Sequence, residues 1–298
     1  MNNNENILEN LKLDEAAIQL LKDLEKENSK VREFLIKSYK GLPVSPEMKE
    51  EAYNYFISHS VIITAMAANR GSSVITEFLY DRFNSFSSID KYVLNCKTGK
   101  AVKSRLITIE EELPSIIKEY SSKGSVLIGN LGSGPGRDII DVLYKYRDIS
   151  NVKAIHLDKD DVALERGKIR AKNKGVDHLI EFVQANFLKY ETSNKFDILL
   201  LIGVLCPLDA ETCINILKTI KKLMKKDGCL IASNVTKKMQ EEDPFACFIM
   251  DWTADWNLVF KNEEELKQIF EKAGYKWEKG FTDSYGFHLM SVGTPIDQ

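Results

Sequence analysis

The sequence predicts an α/β protein: a seven-stranded, mostly parallel, doubly wound sheet preceded by an all-helical N-terminal domain. Three observations carry this expectation. Residues 126–138 pass from an apolar stretch through Gly132-Ser133-Gly134-Pro135-Gly136 into an amphipathic segment, the order of strand, tight turn and helix. Beyond them, apolar runs at 152–158, 179–184 and 196–203 alternate with helical patterns, as in parallel sheets built from βαβ units. Before them, residues 1–120 carry leucines and aromatics at helical spacing.

In the N-terminal part, Leu8, Leu11, Leu13, Ala17, Leu20, Leu21 and Leu24 recur near helical spacing with Lys and Glu between them. They predict a long helix over 14–39, opened by Asp14 as N-cap and stopped before Gly41-Leu42-Pro43. Ser45-Pro46 then reads as an N-cap with proline at the first helical position. The helix that follows runs to about Ala68 and carries Tyr53, Tyr55, Phe56, His59, Ile62, Ile63 and Met66. A third helix is expected over 73–83. Residues 90–107 show no clear pattern and are read as short strands or loop, and 110–120 reads as a helix leading into the first strand.

The sheet follows in order. Strand two, 152–158, ends in Asp158; strand three, 179–184, ends in Ala185-Asn186-Phe187. Strand four, 196–203, is almost wholly apolar, as a strand buried on both faces should be. Strand five closes the stretch 223–235. A helix over 263–273 ends at Gly274, and strands near 276–282 and 287–292 form a final antiparallel pair.

Composition narrows the function. With 298 residues, 44% hydrophobic and 29% charged, the chain supports a full core and reads as soluble. A net charge of −3 offers no general attraction to phosphate backbones, so nucleic acid is not expected as a partner. The N-terminal residues lack the features of a signal peptide, and no apolar run is long enough to span a bilayer, so a cytoplasmic protein is expected. Five cysteines without CxxC spacing read as reduced thiols, and no metal site is expected. Cys206 is singled out because it follows strand four, although a small buried residue is the simpler reading.

The glycines of 132–136 supply left-handed backbone and let a ligand approach the main chain. Asp158, at the end of strand two, is placed to accept the hydroxyls of a ribose, or else to cap the helix beginning near Asp160 and Asp161. Together these motifs resemble a class I S-adenosylmethionine-dependent methyltransferase from about Ser125 to the C-terminus. The loop is GxGxG with Arg137 after it, Asp158 matches the family's ribose acid, and Asn186 with Phe187 matches its adenine side. Gly203-Val204-Leu205 follows strand four where that family's loop passes the methyl donor. The resemblance implies S-adenosyl-L-methionine as cofactor, held by Asn130, Gly132, Ser133, Gly134, Gly136, Asp158, Lys159, Asn186, Phe187, Gly203 and Val204. It also implies two domains: 1–120 as a helical lid for substrate recognition, and 121–298 as the methyltransferase domain. Two positions depart from the pattern. Asn130 and Asn186 stand where acids are usual, and each loses the strength of a charge-assisted hydrogen bond.

A small-molecule acceptor is expected, with its atom open among O, N and C, because the strand-four loop lacks the Asp/Asn-Pro-Pro-Tyr signature of amide and nucleobase methylation. Candidate substrate residues are Tyr53, Arg70, Asp251, Trp252 and Trp256; candidate catalytic residues are His59 and Asp255. Two acids and two indoles at i,i+4 spacing within 251–256 suit a cationic acceptor, or serve simply to pack an amphipathic segment. His59 reads as a base or as a core histidine, Arg70 as a carboxylate anchor or a surface charge. Self-association as a homodimer stays open. Two alternatives remain beside methyl transfer: aminocarboxypropyl transfer from the same donor, in the manner of nicotianamine synthases, and a non-catalytic cofactor-binding protein.

Overall fold

A computed structural model describes residues 11–69, 71–81, 83–146 and 151–296. In chain order the helical N-terminal elements are α1 (Glu15–Glu27), α2 (Ser29–Tyr39), α3 (Pro46–His59), α4 (Val61–Ala68), α5 (Val74–Tyr80), α6 (Ser88–Asn95) and α7 (Lys97–Ser121). They continue with β1 (Val126–Leu131), α8 (Arg137–Lys145), β2 (Val152–Asp158), α9 (Asp161–Lys174), β3 (Ile180–Gln184), β4 (Phe196–Leu201) and α10 (Ala210–Lys221). The chain closes with β5 (Met224–Val235), α11 (Lys237–Glu242), α12 (Pro244–Ala254), α13 (Glu263–Lys272), β6 (Tyr275–Thr282) and β7 (His288–Pro295). These group into a helical unit, 1–103 with 238–257, and a sheet unit, 104–237 with 258–298. Among the described residues no helix is long and apolar enough to cross a membrane.

In the helical unit, polar side chains cut helices that periodicity alone would continue. Asp14 opens α1 by accepting the Ala17 N–H at 2.8 Å. The single helix expected over 14–39 is two, because Asn28 stands extended between α1 and α2 at φ −158° and ψ 91°. Its side chain accepts from Val31 N at 3.2 Å, while its own N–H donates to Leu24 O at 2.8 Å. The helix expected from 46 to about 68 likewise breaks at Ser60, whose Oγ accepts from Ile63 N at 2.9 Å and donates to Asp90 Oδ1 at 2.5 Å. Asp90 is buried, and it also accepts from Ile62 N at 3.1 Å and Ser85 Oγ at 2.8 Å. The stretch 90–107 is neither strand nor loop; it completes α6 and begins α7. The start of α7 is held from far along the chain, since Asp243 accepts both Thr98 N and Thr98 Oγ1 at 2.8 Å. The same Asp243 caps α12 through Ala246 N at 3.3 Å. Leu20, Leu24, Phe34, Phe56, Ile63, Phe245 and Ile249 form the buried centre of this unit.

The sheet unit has strand order β3-β2-β1-β4-β5-β7-β6, with β7 antiparallel to both its neighbours. On one face α7 and α8 pack Ile109, Leu113, Ile139 and Ile140 on Ile128, Ala154 and Ile198. On the other, α10 and α13 pack Leu217, Ile220, Leu266 and Phe270 on Leu131, Leu157, Leu199 and Leu230. Every residue of β4 is buried, which is why its sequence shows no alternation. β1 pairs with β2 on one side and β4 on the other, so successive crossovers leave in opposite directions. Ligands of such sheets bind where that reversal opens a crevice, outside the carboxyl ends of the strands.

One buried group under that edge stands out. His156 of β2 is fully buried, lies edge-on to Phe182 with ring centres 5.0 Å apart, and finds no hydrogen-bond partner among the described residues at either ring nitrogen. Burial holds it down at about 3, so the folded protein keeps a neutral imidazole. The unfolded chain takes up this proton near pH 6.5 and the folded chain only near 3. Stability from this group is therefore complete above pH 6.5 and is lost as pH falls towards 3.

Two outcomes follow from these contacts. His156→Leu should stay folded and lose less stability than the parent on going from pH 7 to pH 5, the difference being about 2 kcal/mol by urea unfolding. Asp90→Ala strands several buried donors and should destabilise the helical unit by roughly 2–4 kcal/mol, with Asp90→Asn recovering part, again read by urea unfolding.

Candidate functional site

β1 ends at Leu131 and the chain turns through Gly132, Gly134 and Gly136, at φ 62°, 53° and 66°, into α8. No L side chain adopts these values readily, and Gly136 also lies against the His156 ring: a Cβ there would stand 1.9 Å from His156 Nδ1. The loop is tied to the end of β2. Gly132 N and Ser133 N donate to Leu157 O at 2.8 and 3.1 Å, and Gly134 N donates to Asp158 Oδ2 at 2.6 Å. The other Asp158 oxygen accepts from Asp160 N at 3.0 Å. Capping of α9 falls to Asp160, which takes Ala163 N at 3.1 Å, so Asp158 stands at the glycine loop and not at the helix start.

Residues from two further strand ends meet this loop. A Cβ on Gly132 would stand 2.9 Å from Val204 Cγ2 and 3.7 Å from Phe187 Cε1, so the loop, the turn after β3 and the turn after β4 converge on one spot. Asn186 caps its own short turn, accepting from Leu188 N at 3.0 Å. Lys159 is exposed beside Asp158. Gly203 adopts φ 79° and donates its N–H to Ser233 Oγ on β5 at 2.8 Å. The structure thus brings Asn130, the loop glycines with Ser133, Asp158, Lys159, Asn186, Phe187, Gly203 and Val204 to the carboxyl edge of β1–β4.

Sequence reasoning missed Asp138, Arg105, His288 and Asp283 at this edge. Asp138, in the first turn of α8, accepts from Asn130 Nδ2 at 3.0 Å and from Ile139 N at 2.9 Å. Burial pushes its carboxyl up to about 6, against the pull of Ile139 N, Asn130 and Arg105. Arg105 on α7 is only 8% exposed, and its guanidinium lies at Gly203, 3.6 Å from where a Cβ would be. Its signal is its spacing: Arg105, Ile109 and Leu113 fall on one helical stripe, a cation in line with apolar residues. His288 opens β7 opposite Val235 and is buried with Asp283, whose Oδ2 meets its Nδ1 at 3.1 Å. Burial holds this imidazole below its ordinary range against the Asp283 hydrogen bond, and the Arg105 charge adds to the effect. Cys206 is buried after β4, and burial raises its thiol, as for a packed residue and not a nucleophile.

The remaining predicted residues lie in the helical unit. His59 ends α3 exposed, its ring stacked on Tyr55 at 4.0 Å and its Nδ1 2.9 Å from Tyr55 O. Trp252 packs against Phe34 and Phe56 at 4.9 and 5.0 Å, with Tyr53 edge-on at 6.4 Å and its buried indole Nε1 without a hydrogen bond among the described residues. Trp256 also turns onto the helical core, whereas Asp251 and Asp255 are exposed. Asp255 takes the left-handed conformation, φ 48°, that ends α12. The 251–256 cluster is therefore divided: its indoles pack inward and its acids face out. Arg70 lies outside the described residues.

Residues 121–274, just over half of the chain, match a family model described as a methyltransferase domain. No curated protein matches the chain. Among solved structures, a possible exported protein from Bordetella parapertussis superposes with a TM-score of 0.68 at 14% identity, covering 95% of this chain and 98% of that one. Magnesium protoporphyrin IX methyltransferase from Synechocystis PCC 6803, with S-adenosylhomocysteine bound, gives 0.58 at 12% identity, over 78% of this chain and 99% of that one. The pyocyanin biosynthetic protein PhzM gives 0.53 at 15% identity, over 89% of this chain and 76% of that one. At such identities the likeness is one of fold. The family match carries the assignment: this chain belongs to the methyltransferase-domain family and is an S-adenosylmethionine-dependent class I methyltransferase.

Proposed function

We propose that the protein methylates a small-molecule acceptor, with the donor seated at the carboxyl edge of β1–β4. One observation carries the reading: Gly134 N on Asp158 Oδ2 at 2.6 Å joins the glycine loop to the acid of strand two. The edge suits the cofactor, since Gly132 leaves bare backbone where a Cβ would strike Val204. When bound, S-adenosylmethionine supplies a sulfonium methyl that transfers in line to a nucleophile. In this reading Asp158 takes the ribose hydroxyls, with Lys159 beside it. Asn186 and Phe187 border the adenine, and Gly132, Ser133, Gly134 and Gly136 hold the chain close to the methionine end. Gly203 and Val204 line the methyl side.

A small acceptor is supported by the charge balance and by the structural neighbours, one a magnesium protoporphyrin IX methyltransferase and one a pyocyanin biosynthetic protein. Acceptor recognition is assigned to the helical unit, through Tyr53, Arg70 and the exposed Asp251, with Trp252 and Trp256 packed behind them on the helical core. For an acceptor that must lose a proton, the chain offers exposed His59 and Asp255, and the buried, neutral His288 held by Asp283. An amine arriving unprotonated needs none of them, and positioning and desolvation then supply the rate.

Asp158→Ala should weaken S-adenosylhomocysteine binding about 100-fold or more by calorimetry, from the loss of charge-assisted hydrogen bonds, with the circular dichroism of the fold retained. Unchanged affinity would remove Asp158 from the site. On turnover the by-product should be S-adenosylhomocysteine; methylthioadenosine in its place would establish aminocarboxypropyl transfer instead.

A further inference from the structure

The end of β1 poses a chemical question that the glycine loop does not answer. Asn130 is buried at the strand's carboxyl end, in register with His156 of β2 and Leu200 of β4, so it stands at the reversal of strand order. An amide there is a weak partner for the ammonium of an amino acid, because a neutral hydrogen bond has about half the strength of a charge-assisted one. The structure brings a carboxylate to the same place by another route. Asp138 reaches over from α8, and its Oδ1 is fixed by two donors, Asn130 Nδ2 at 3.0 Å and Ile139 N at 2.9 Å. Those bonds leave Oδ2 outside the pair, with its orientation set by the rest of the group. Asp138 is the second residue of α8, directly after the loop, so its position is as firmly determined as the loop's own.

We infer that Asp138 binds the ammonium of the donor's amino-acid end, and that Asn130 is its positioning residue, holding the carboxylate over the end of β1. The inference rests on the methyltransferase reading. Two charged groups act on Asp138 with opposite sign: the Arg105 guanidinium favours its charged form and Asp141, on its own helix, opposes it. A carboxyl pushed up by burial regains its ordinary acidity when an ammonium is placed against it. Such a site selects ligands that keep the whole amino-acid end and gives no advantage to a nucleoside thioether without it.

Calorimetry with two probes tests this. S-adenosylhomocysteine carries the amino-acid end; 5′-methylthioadenosine shares the nucleoside and lacks that end. Asp138→Asn should weaken S-adenosylhomocysteine about 30-fold or more while leaving methylthioadenosine within about threefold of the parent. The double variant Asn130→Asp/Asp138→Asn returns the carboxylate to β1 and should recover most of the lost affinity, which a purely structural role for Asp138 would not do. Equal losses for both probes, or no loss for either, overturn the inference while leaving the methyltransferase reading intact. If the parent protein binds neither probe, the donor assignment fails and the inference with it.

Discussion

The bond between Gly134 N and the Asp158 carboxylate joins the glycine loop to the end of β2 at the candidate site, and the surrounding fold is arranged to permit it. The glycine loop can reach β2 only by passing through three left-handed residues. Gly132 N and Ser133 N also donate to Leu157 O, so the loop is stitched to β2 along its backbone and not merely at one side chain. Beneath it, the His156 ring fills the space where any side chain at position 136 would lie. Loop shape, strand end and acid are therefore one constraint. A change in any of them moves the others.

That constraint has a cost in the interior. His156 is buried neutral with two unsatisfied nitrogens, a feature that an apolar residue would avoid. Its flat ring nonetheless fits between Phe182 and the bare backbone of Gly136. The same edge gathers Asp138, Arg105, and His288 with Asp283, all on or behind the strand ends. Polar groups with shifted acidity thus collect where the sheet opens, and both faces of the sheet away from it are apolar.

In the helical unit, a different rule sets the elements. Asn28, Ser60 and Asp243 each open a helix by accepting a nearby backbone N–H, and two of the three also hold a partner remote in sequence: Ser60 donates to Asp90, and Asp243 accepts from Thr98 N. Helical periodicity runs straight through Asn28 and Ser60 in the sequence, because a small polar residue on one turn barely disturbs an apolar stripe. At Ser60 it is the tertiary partner that shows the helix stopping. Asp90 illustrates the point: it holds Ser60 from 30 residues away.

What the sequence determined by itself is what depends on neighbours along the chain: the glycine loop, the strands around it and the acid ending β2. Apolar runs between turn residues are local signals, and β1, β2 and β4 stand where those signals put them. The tertiary structure alone decided which side chains share a place. It divided residues 251–256 between core and solvent, extended α7 through a stretch without readable pattern, and set Asp138 against Asn130. The physical reason is the same in each case. A carboxylate's partner, a buried arginine's neighbours and a helix's cap are chosen by distance in space, and sequence spacing carries that information only when the partners lie on one element.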